Sequence, residues 1–200
     1  MLVLASGGGT NLQALIDAAA NGEFGGSKIA AVLSDRADAY ALQRARAAGI
    51  PAVLIETDPG QPREERRIVL SDFILRYAQD KKIGLVIHAG FLWILKGRIV
   101  DEYPGRMINI HPALLPKFGG KGMYGLNVHR AVLAAGEKES GCSVHLVDSG
   151  TDTGRVILQR KVPVLPGDTP EVLAARILAE EHIAIVEAVK MMIKNPGGIK

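Results

Sequence analysis

The sequence has little cysteine, few aromatic residues and no long apolar run, and each shortage excludes a class of protein. Because Cys142 is the only cysteine, the chain can form neither an internal disulfide nor a cysteine-based zinc site, which favours a reducing compartment. Aromatic residues make up 4% of the chain, so few rings are available to stack on nucleic-acid bases. The apolar run at residues 2–5 is too short for a signal peptide, and no run of 18 apolar residues follows it. We therefore expect a cytoplasmic protein that binds neither membranes nor nucleic acid.

The charged residues are mixed along the chain. The formal net charge is +3, and the lysines and arginines are scattered among 21 acidic residues with no dense basic run. That balance favours a small anionic ligand over nucleic acid. Hydrophobic residues make up 48% of the 200 residues, which suits one compact domain spanning residues 1–200. No repeat, linker or low-complexity segment divides it.

Short apolar runs and helical patterns alternate along most of the chain. Strands are predicted at residues 2–5, 29–33, 52–55, 85–87, 107–110, 144–147 and 155–162. Helices are predicted after residue 11 and at residues 39–48, 63–82, 126–135 and 170–193. The link between the last two strands is short, so these strands should be antiparallel. The fold class is therefore α/β: a mostly parallel, doubly wound (Rossmann-like) sheet, with helices on both faces and an antiparallel edge in the C-terminal half.

A glycine-rich loop, residues 6–11, joins the first strand to the first helix. Glycines let backbone N–H groups approach an anion, and the start of a helix adds free N–H donors and the positive end of its dipole. A phosphate would therefore fit on Gly9, Thr10 and Asn11. A tight turn with Asn11 as the helix N-cap is the alternative.

A dinucleotide site is a further interpretation of the same loop, but it fails one test. Leu12 stands where a third glycine should allow the helix to pack closely. Asp35 follows the second strand, as a ribose-binding acid would, and is as easily a turn residue.

The strand at residues 107–110 runs directly into polar residues. Asn109 and His111 are two residues apart, so their side chains lie on one face of the strand. Pro112 ends the ladder after His111, which places His111 at the carboxyl end of a parallel strand, where ligands bind in such sheets. An amide and an imidazole together can stabilise an oxyanion, which indicates acyl transfer. No Gly-x-Ser-x-Gly nucleophile is present, so the acyl group should pass directly to a substrate nucleophile.

Several other polar and apolar residues stay open to two interpretations. A carboxylate that keeps His111 charged could come from the loop at residues 148–152, whose aspartates could equally be turn residues. The apolar turn at residues 92–95 either lines a pocket for a flat apolar ligand or packs in the core. For the other four histidines, a structural role is the default: His88, His129, His145 and His182.

These motifs resemble the folate-dependent formyltransferases, and within them the branch that formylates glycinamide ribonucleotide in purine biosynthesis. The similarity covers nearly the whole chain. It is carried by Ser6-Gly7-Gly8-Gly9-Thr10-Asn11-Leu12, Ala89-Gly90-Phe91, Asn109-Ile110-His111-Pro112, Leu114-Leu115-Pro116, Ser143-Val144-His145, Asp152-Thr153-Gly154 and Glu181-His182. The sequence departs from the family pattern at Trp93, where many relatives have a basic residue, and at Ile185-Val186, which replaces a tyrosine-proline pair.

The resemblance implies a role for each catalytic candidate. His111 would be the proton donor, Asn109 the oxyanion partner, and Asp152 the carboxylate that raises the pKa of His111. The resemblance implies no metal, and we expect a monomer or a homodimer.

The resemblance also implies where the two substrates bind. The phosphate of glycinamide ribonucleotide would lie on Gly9, Thr10 and Asn11, with Glu181 contacting the rest of that substrate. The co-substrate, 10-formyltetrahydrofolate, would be bordered by Arg63, Leu92, Trp93, Ile94, Leu95, Asn109 and Asp148. In this division, residues 1–100 form the phosphate- and ribonucleotide-binding half, and residues 101–200 form the catalytic and folate-binding half.

Overall fold

A computed structural model describes residues 1–195, which fold around one seven-stranded sheet. The strands are β1 (Leu2–Leu4), β2 (Ala31–Ser34), β3 (Ala52–Leu54), β4 (Val86–His88), β5 (Met107–His111), β6 (Glu139–Leu146) and β7 (Val156–Pro163). Their order in the sheet is β3-β2-β1-β4-β5-β6-β7. The first five strands are parallel, whereas β6 runs antiparallel to both β5 and β7. The predicted mostly parallel sheet with an antiparallel edge is confirmed.

Helices cover both faces of this sheet. They are α1 (Thr10–Ala20), α2 (Tyr40–Ala47), α3 (Arg63–Asp80), α4 (Arg98–Glu102), α5 (Leu126–Ala134) and α6 (Pro170–Lys194). Alternating residues of β1 enter two separate cores: Val3 packs with α1, α2, α5 and α6, and Leu2 and Leu4 pack with α3 and α4. The predicted doubly wound arrangement is confirmed. Within residues 1–195, no helix is both long enough and apolar enough to cross a membrane.

Two elements differ from the sequence prediction. The five-residue helix α4 was not predicted, because so short a helix shows less than two turns of periodicity. Strand β6 begins at Glu139 rather than at residue 144. Its first residues have no alternating apolar pattern, but they pair with β7 from Glu139 onward. The two strands approach closely at Gly141, where a side chain would collide with the Arg160 carbonyl. Pairing with β7, rather than local propensity, therefore makes this segment a strand.

The strand order reverses between β1 and β4, and the loops that follow these two strands meet there. The Ser6 N–H donates to the Gly90 carbonyl at 3.0 Å, and the Leu92 N–H donates to Ser6 Oγ at 2.9 Å. Strand β5 lies directly beside β4. The glycine loop, the apolar turn and the end of β5 therefore lie at one edge of the sheet, where ligands bind in open α/β folds.

Candidate active site

The end of β5 holds the two polar residues predicted to be catalytic. Asn109 is half-buried and stands opposite His145 of β6, with Asn109 Nδ2 3.0 Å from His145 Nε2. His111 is 4% exposed and stands opposite Ser143 of the same strand. Asn109 is therefore flanked by both neighbouring strands, β4 and β6, whereas His111 lies beyond the end of β4 and pairs with β6 alone.

One oxygen acceptor faces each nitrogen of the His111 imidazole, and only the one at Nε2 is within hydrogen-bonding distance. Its Nε2–H donates to the carbonyl oxygen of Phe118 at 2.7 Å, and its Nδ1 lies 3.7 Å from Asp152 Oδ2. Burial lowers the pKa of His111, whereas the charge of Asp152 and the Phe118 carbonyl oppose this effect without overcoming it. The neutral ring with its proton on Nε2 is therefore favoured at neutral pH, and a proton added at Nδ1 would face Asp152.

The carboxylate of Asp152 lies between two histidines. The backbone N–H of Gly120 donates to Asp152 Oδ2 at 2.9 Å, and Asp152 Oδ1 lies 3.6 Å from His145 Nε2. Burial raises the pKa of Asp152, but the nearby imidazole of His145, the N–H of Gly120 and the imidazole of His111 together bring it below its ordinary value. Asp152 also has a positive φ of 57°, which few residues other than glycine adopt. It is an ionised group held in an uncommon backbone conformation.

Asp148, the other acidic candidate in this loop, has a different environment. Its Oδ1 accepts from Thr153 Oγ1 at 2.7 Å and from the Gly150 N–H at 3.0 Å. These are the contacts of a residue that shapes its own turn. Sequence spacing left the choice between the two aspartates open, and the geometry places Asp152 beside His111.

A polar cluster centred on the buried hydroxyl of Ser143 supports the segment that follows His111. Ser143 Oγ accepts from the Leu115 N–H at 3.0 Å and donates to the Ala113 carbonyl at 2.6 Å. Gln159 Nε2 donates to Ser143 Oγ at 2.9 Å and to the Leu115 carbonyl at 3.0 Å. Sequence reasoning missed this cluster, because its residues come from three separate segments and share no local motif.

The glycine loop reaches α1 through Gly9, which has a φ of 70° and precedes the first helical residue, Thr10. A side chain at Gly9 would lie 2.8 Å from the Cα and Cβ of Ala41, so glycine allows the loop to approach α2. Asn11 lies within the helix, and no side chain caps α1. The alternative in which Asn11 is the N-cap is wrong. The helix start is therefore open to an anion at its N–H groups.

Two other residues join the glycine loop to α6 and α2. Asn11 is buried, and its Nδ2 donates to Glu181 Oε2 of α6 at 2.7 Å. Burial raises the pKa of Glu181, and the Asn11 contact opposes that rise in part. Asn11 Oδ1 is buried and has no hydrogen-bond partner within the described residues. On the α2 side, Arg44 Nε donates to the Gly8 carbonyl at 2.8 Å. Two residues predicted to bind one substrate, Asn11 and Glu181, are thus in direct contact.

The apolar turn at residues 92–95 divides between surface and core. Leu92 and Ile94 are 52% and 38% exposed, whereas Leu95 is fully buried in the core on the α3 side. The two alternatives for this turn therefore apply to different residues: Leu92 and Ile94 can line a pocket, and Leu95 packs beneath them.

Trp93 in this turn is held on three sides. Its Nε1–H donates to Asp35 Oδ2 at 2.8 Å, and the guanidinium carbons of Arg63 and Arg66 each lie 5.4 Å from the centre of its ring. Arg63 thus lies beside the turn, and its predicted role in folate binding stays a prediction. Sequence reasoning missed the contact of Asp35, because nothing in the local pattern distinguishes a turn aspartate from the acceptor of a distant indole.

A cleft of about 450 Å³ opens beside Asp152. It is lined by Leu115, Pro116, Gly119, Gly120, Thr151, Asp152, Thr153, Gly154 and Val156. No group of three or more histidine, cysteine, aspartate or glutamate side chains in residues 1–195 is placed to hold a metal ion.

Known proteins of one family match the sequence of this chain. The sequence profile of the Formyl transferase family matches residues 1–189. The phosphoribosylglycinamide formyltransferase of Escherichia coli (strain K12) is 43% identical over 182 residues, which are 91% of this chain and 81% of that protein. The trifunctional purine biosynthetic protein adenosine-3 of Drosophila pseudoobscura pseudoobscura is 44% identical over 193 residues. Those residues are 95% of this chain but only 13% of that longer relative.

Solved structures agree with the sequence comparison. Glycinamide ribonucleotide transformylase 1 from Symbiobacterium toebii superposes with a TM-score of 0.87 at 41% identity, covering 97% of this chain and 87% of that one. A formyltetrahydrofolate deformylase from Pseudomonas syringae superposes with a TM-score of 0.81 at 22% identity, covering 97% of this chain and 61% of that one, and shows a shared fold alone. The match over residues 1–189 and the identity to relatives of similar length show that the chain belongs to the Formyl transferase family.

Proposed function

We propose that this protein transfers the formyl group of 10-formyltetrahydrofolate to the amine of glycinamide ribonucleotide, giving formylglycinamide ribonucleotide and tetrahydrofolate in purine biosynthesis. The observation that carries the proposal is the grouping of Asn109, His111 and Asp152 at the carboxyl end of β5. Relatives about 40% identical that are named for this reaction support it. The buried free thiol of Cys142 agrees with a reaction in the cytoplasm.

The amine would attack the formyl carbon and place negative charge on the formyl oxygen. Asn109 Nδ2 has two N–H groups, and only one of them is directed at His145. The second can donate to the oxyanion. One such donor in a preorganised site contributes about 10²–10³ in rate.

His111 would carry the proton between the two nitrogens. Because burial keeps its pKa low, the neutral ring can take the proton that the attacking amine loses. In the charged ring Nδ1–H faces Asp152, and Nε2–H must exchange the Phe118 carbonyl for the leaving folate nitrogen. That proton passes to the folate nitrogen, and collapse of the oxyanion to a carbonyl then breaks the bond between the formyl carbon and the protonated nitrogen, which leaves as tetrahydrofolate.

The glycine loop and α6 would hold the ribonucleotide. Gly9 and Thr10 lie at the start of α1, where backbone N–H groups and the helix dipole favour a phosphate. The unpartnered Asn11 Oδ1 can accept from a hydroxyl or amide of the same substrate, next to Glu181. In this arrangement residues 1–100 would hold the phosphate, and Glu181 from the other half would contact the rest of the ribonucleotide.

The folate would lie between the apolar turn and the loop at residues 148–152. Leu92 and Ile94 offer exposed apolar surface for its flat ring system, and Leu95 supports them from the core. Trp93 and Arg63, which contact each other, would border the folate on this side, and Asn109 and Asp148 would contact it from the catalytic half.

The test is release of tetrahydrofolate from 10-formyltetrahydrofolate, followed by absorbance with and without glycinamide ribonucleotide. We expect release only when the ribonucleotide is present. Asn109→Ala should lower kcat by about 10²–10³, and His111→Ala should lower it by about 10²–10⁴. Release without the ribonucleotide would make water the acceptor and refute the proposal, as would near-normal kcat in either variant.

A further inference from the structure

The histidine opposite Asn109 in the sheet is not one of the residues that the proposed reaction uses. His145 is 2% exposed, and each of its ring nitrogens faces a polar atom. His145 Nδ1 lies 2.8 Å from the Leu146 carbonyl oxygen, and Nε2 lies 3.0 Å from Asn109 Nδ2. A histidine that serves only to fill the core does not need an acceptor aimed at the amide of a candidate catalytic residue.

The hydrogen bonds of His145 decide which nitrogen carries the proton. A carbonyl oxygen can only accept, so Nδ1 must donate to Leu146. In the neutral ring, Nε2 is then an acceptor, and only an N–H donor can satisfy it. The amide of Asn109 must therefore turn its nitrogen, and not its oxygen, towards His145.

Asp152 is the other polar group near this nitrogen. Its Oδ1 lies 3.6 Å from His145 Nε2, beyond hydrogen-bonding distance, whereas Asn109 Nδ2 is at 3.0 Å. The Asn109 contact therefore defines the role of Nε2 in the neutral ring. The amide of Asn109 cannot rotate without placing its oxygen against the lone pair of Nε2.

We propose that His145 is a positioning residue that orients the amide of Asn109, so that its second N–H faces the developing oxyanion. The inference rests on the proposed formyl transfer, because it assigns a task to that second N–H. His145 touches neither substrate. It acts through Asn109 by supplying one acceptor in a fixed tautomer.

Two substitutions separate orientation from packing. In His145→Gln, the terminal amide oxygen can occupy the place of Nε2 and accept from Asn109. In His145→Asn, the shorter side chain reaches only the place of Nδ1, so it keeps the Leu146 contact and leaves Asn109 without an acceptor. We expect kcat of the Asn variant to fall by about 10²-fold with KM for both substrates unchanged. The Gln variant should retain kcat within about tenfold of wild type, given that only the identity of the acceptor changes.

Val144→Ala is the matched control for stability. Val144 is the fully buried neighbour of His145 on β6 and faces the opposite side of the sheet. This variant should lower the midpoint of thermal unfolding and leave kcat near the wild-type value. Equal kcat in the Gln and Asn variants, whether both are high or both are low, would overturn the inference.

The tautomer can also be measured without substrates. ¹⁵N NMR of the imidazole at neutral pH should show His145 Nδ1 protonated and Nε2 unprotonated, and Asn109→Ala should move the Nε2 resonance while Nδ1 keeps its shift. A proton on Nε2 would overturn the inference, and so would an Nε2 chemical shift that is the same in wild type and in Asn109→Ala. Absence of ribonucleotide-dependent release in wild type would instead refute the proposed function, and the NMR result would still decide the orientation.

Discussion

Replacing Gly9 by alanine should damage the fold and the candidate phosphate site together. Gly9 has a φ of 70° and a ψ of 33°, a left-handed conformation that costs other residues about 1–2 kcal/mol. The new Cβ would also lie 2.8 Å from Cα and Cβ of Ala41, and overpacking of this kind costs about 1–3 kcal/mol. The two effects together lower the free energy of unfolding by about 2–5 kcal/mol, out of a typical total of about 5–15 kcal/mol.

Thermal unfolding measures this loss directly. For a chain of this size, each kcal/mol shifts Tm by about 2–4 °C, so Gly9→Ala should melt about 4–20 °C below wild type. Gly8→Ala is the control, because a Cβ at Gly8 meets no atom within 4 Å and its φ is not positive. Equal Tm values for the two variants would refute the argument from backbone conformation and close approach.

The steric part can be separated from the backbone part by a double-mutant cycle. Ala41→Gly removes one of the two atoms that the new Cβ meets, so it should recover part of the overpacking cost when combined with Gly9→Ala. The left-handed conformation remains and keeps its cost. In the activity assay, Gly9→Ala should raise KM for the ribonucleotide and leave KM for the folate unchanged, because only the glycine loop has moved.

Three other perturbations give distinct outcomes. Burial raises the pKa of Glu181 in the folded state. The free energy of unfolding should therefore fall as pH rises from about 4.5 through that higher pKa. Urea titrations at several pH values should show this fall in wild type and not in Glu181→Gln. Asp152→Asn removes a charge that raises the pKa of His111, so the acid limb of the kcat profile should move to lower pH; an unmoved limb contradicts the pairing. Ser143→Ala leaves buried backbone groups unpaired and should cost about 1–3 kcal/mol in chemical denaturation. Ser140→Ala, whose buried hydroxyl has no partner among the described residues, should cost close to nothing.

The parallel part of the fold was predictable because its signals are local. Each strand from β1 to β5 is mainly a short apolar run bounded by turn residues or by the start of a helical pattern. Such runs are typical of parallel strands, whether fully buried as in β1 or partly buried as in β3. Proline after His111 and glycine before Thr10 marked the two ends where polar residues emerge. The positions of the candidate catalytic strand and of the glycine loop were therefore predictable from the sequence.

The partners of these residues were not predictable in the same way. The contact between Asn11 and Glu181 joins residues 170 positions apart, and the contact between Trp93 and Asp35 joins residues 58 positions apart. Helix α3 shows that an apolar helical pattern does not guarantee burial. Ile68 fits the pattern of a helix face that points inward, but its side chain is 51% exposed. Periodicity defines a face, but tertiary packing decides which part of that face is covered.

His145 shows that the role of a buried polar residue can be assigned only when its hydrogen-bond partners are known. In the sequence it is a histidine within an apolar strand, for which a satisfied structural role is the reasonable default. The antiparallel register between β5 and β6 sets it directly opposite Asn109, and a shift of one residue would turn its side chain to the other face of the sheet. The same register places Ser143 opposite His111. Strand β6 thus contacts both catalytic candidates of β5, so the antiparallel edge is part of the candidate active site and not only the border of a parallel sheet.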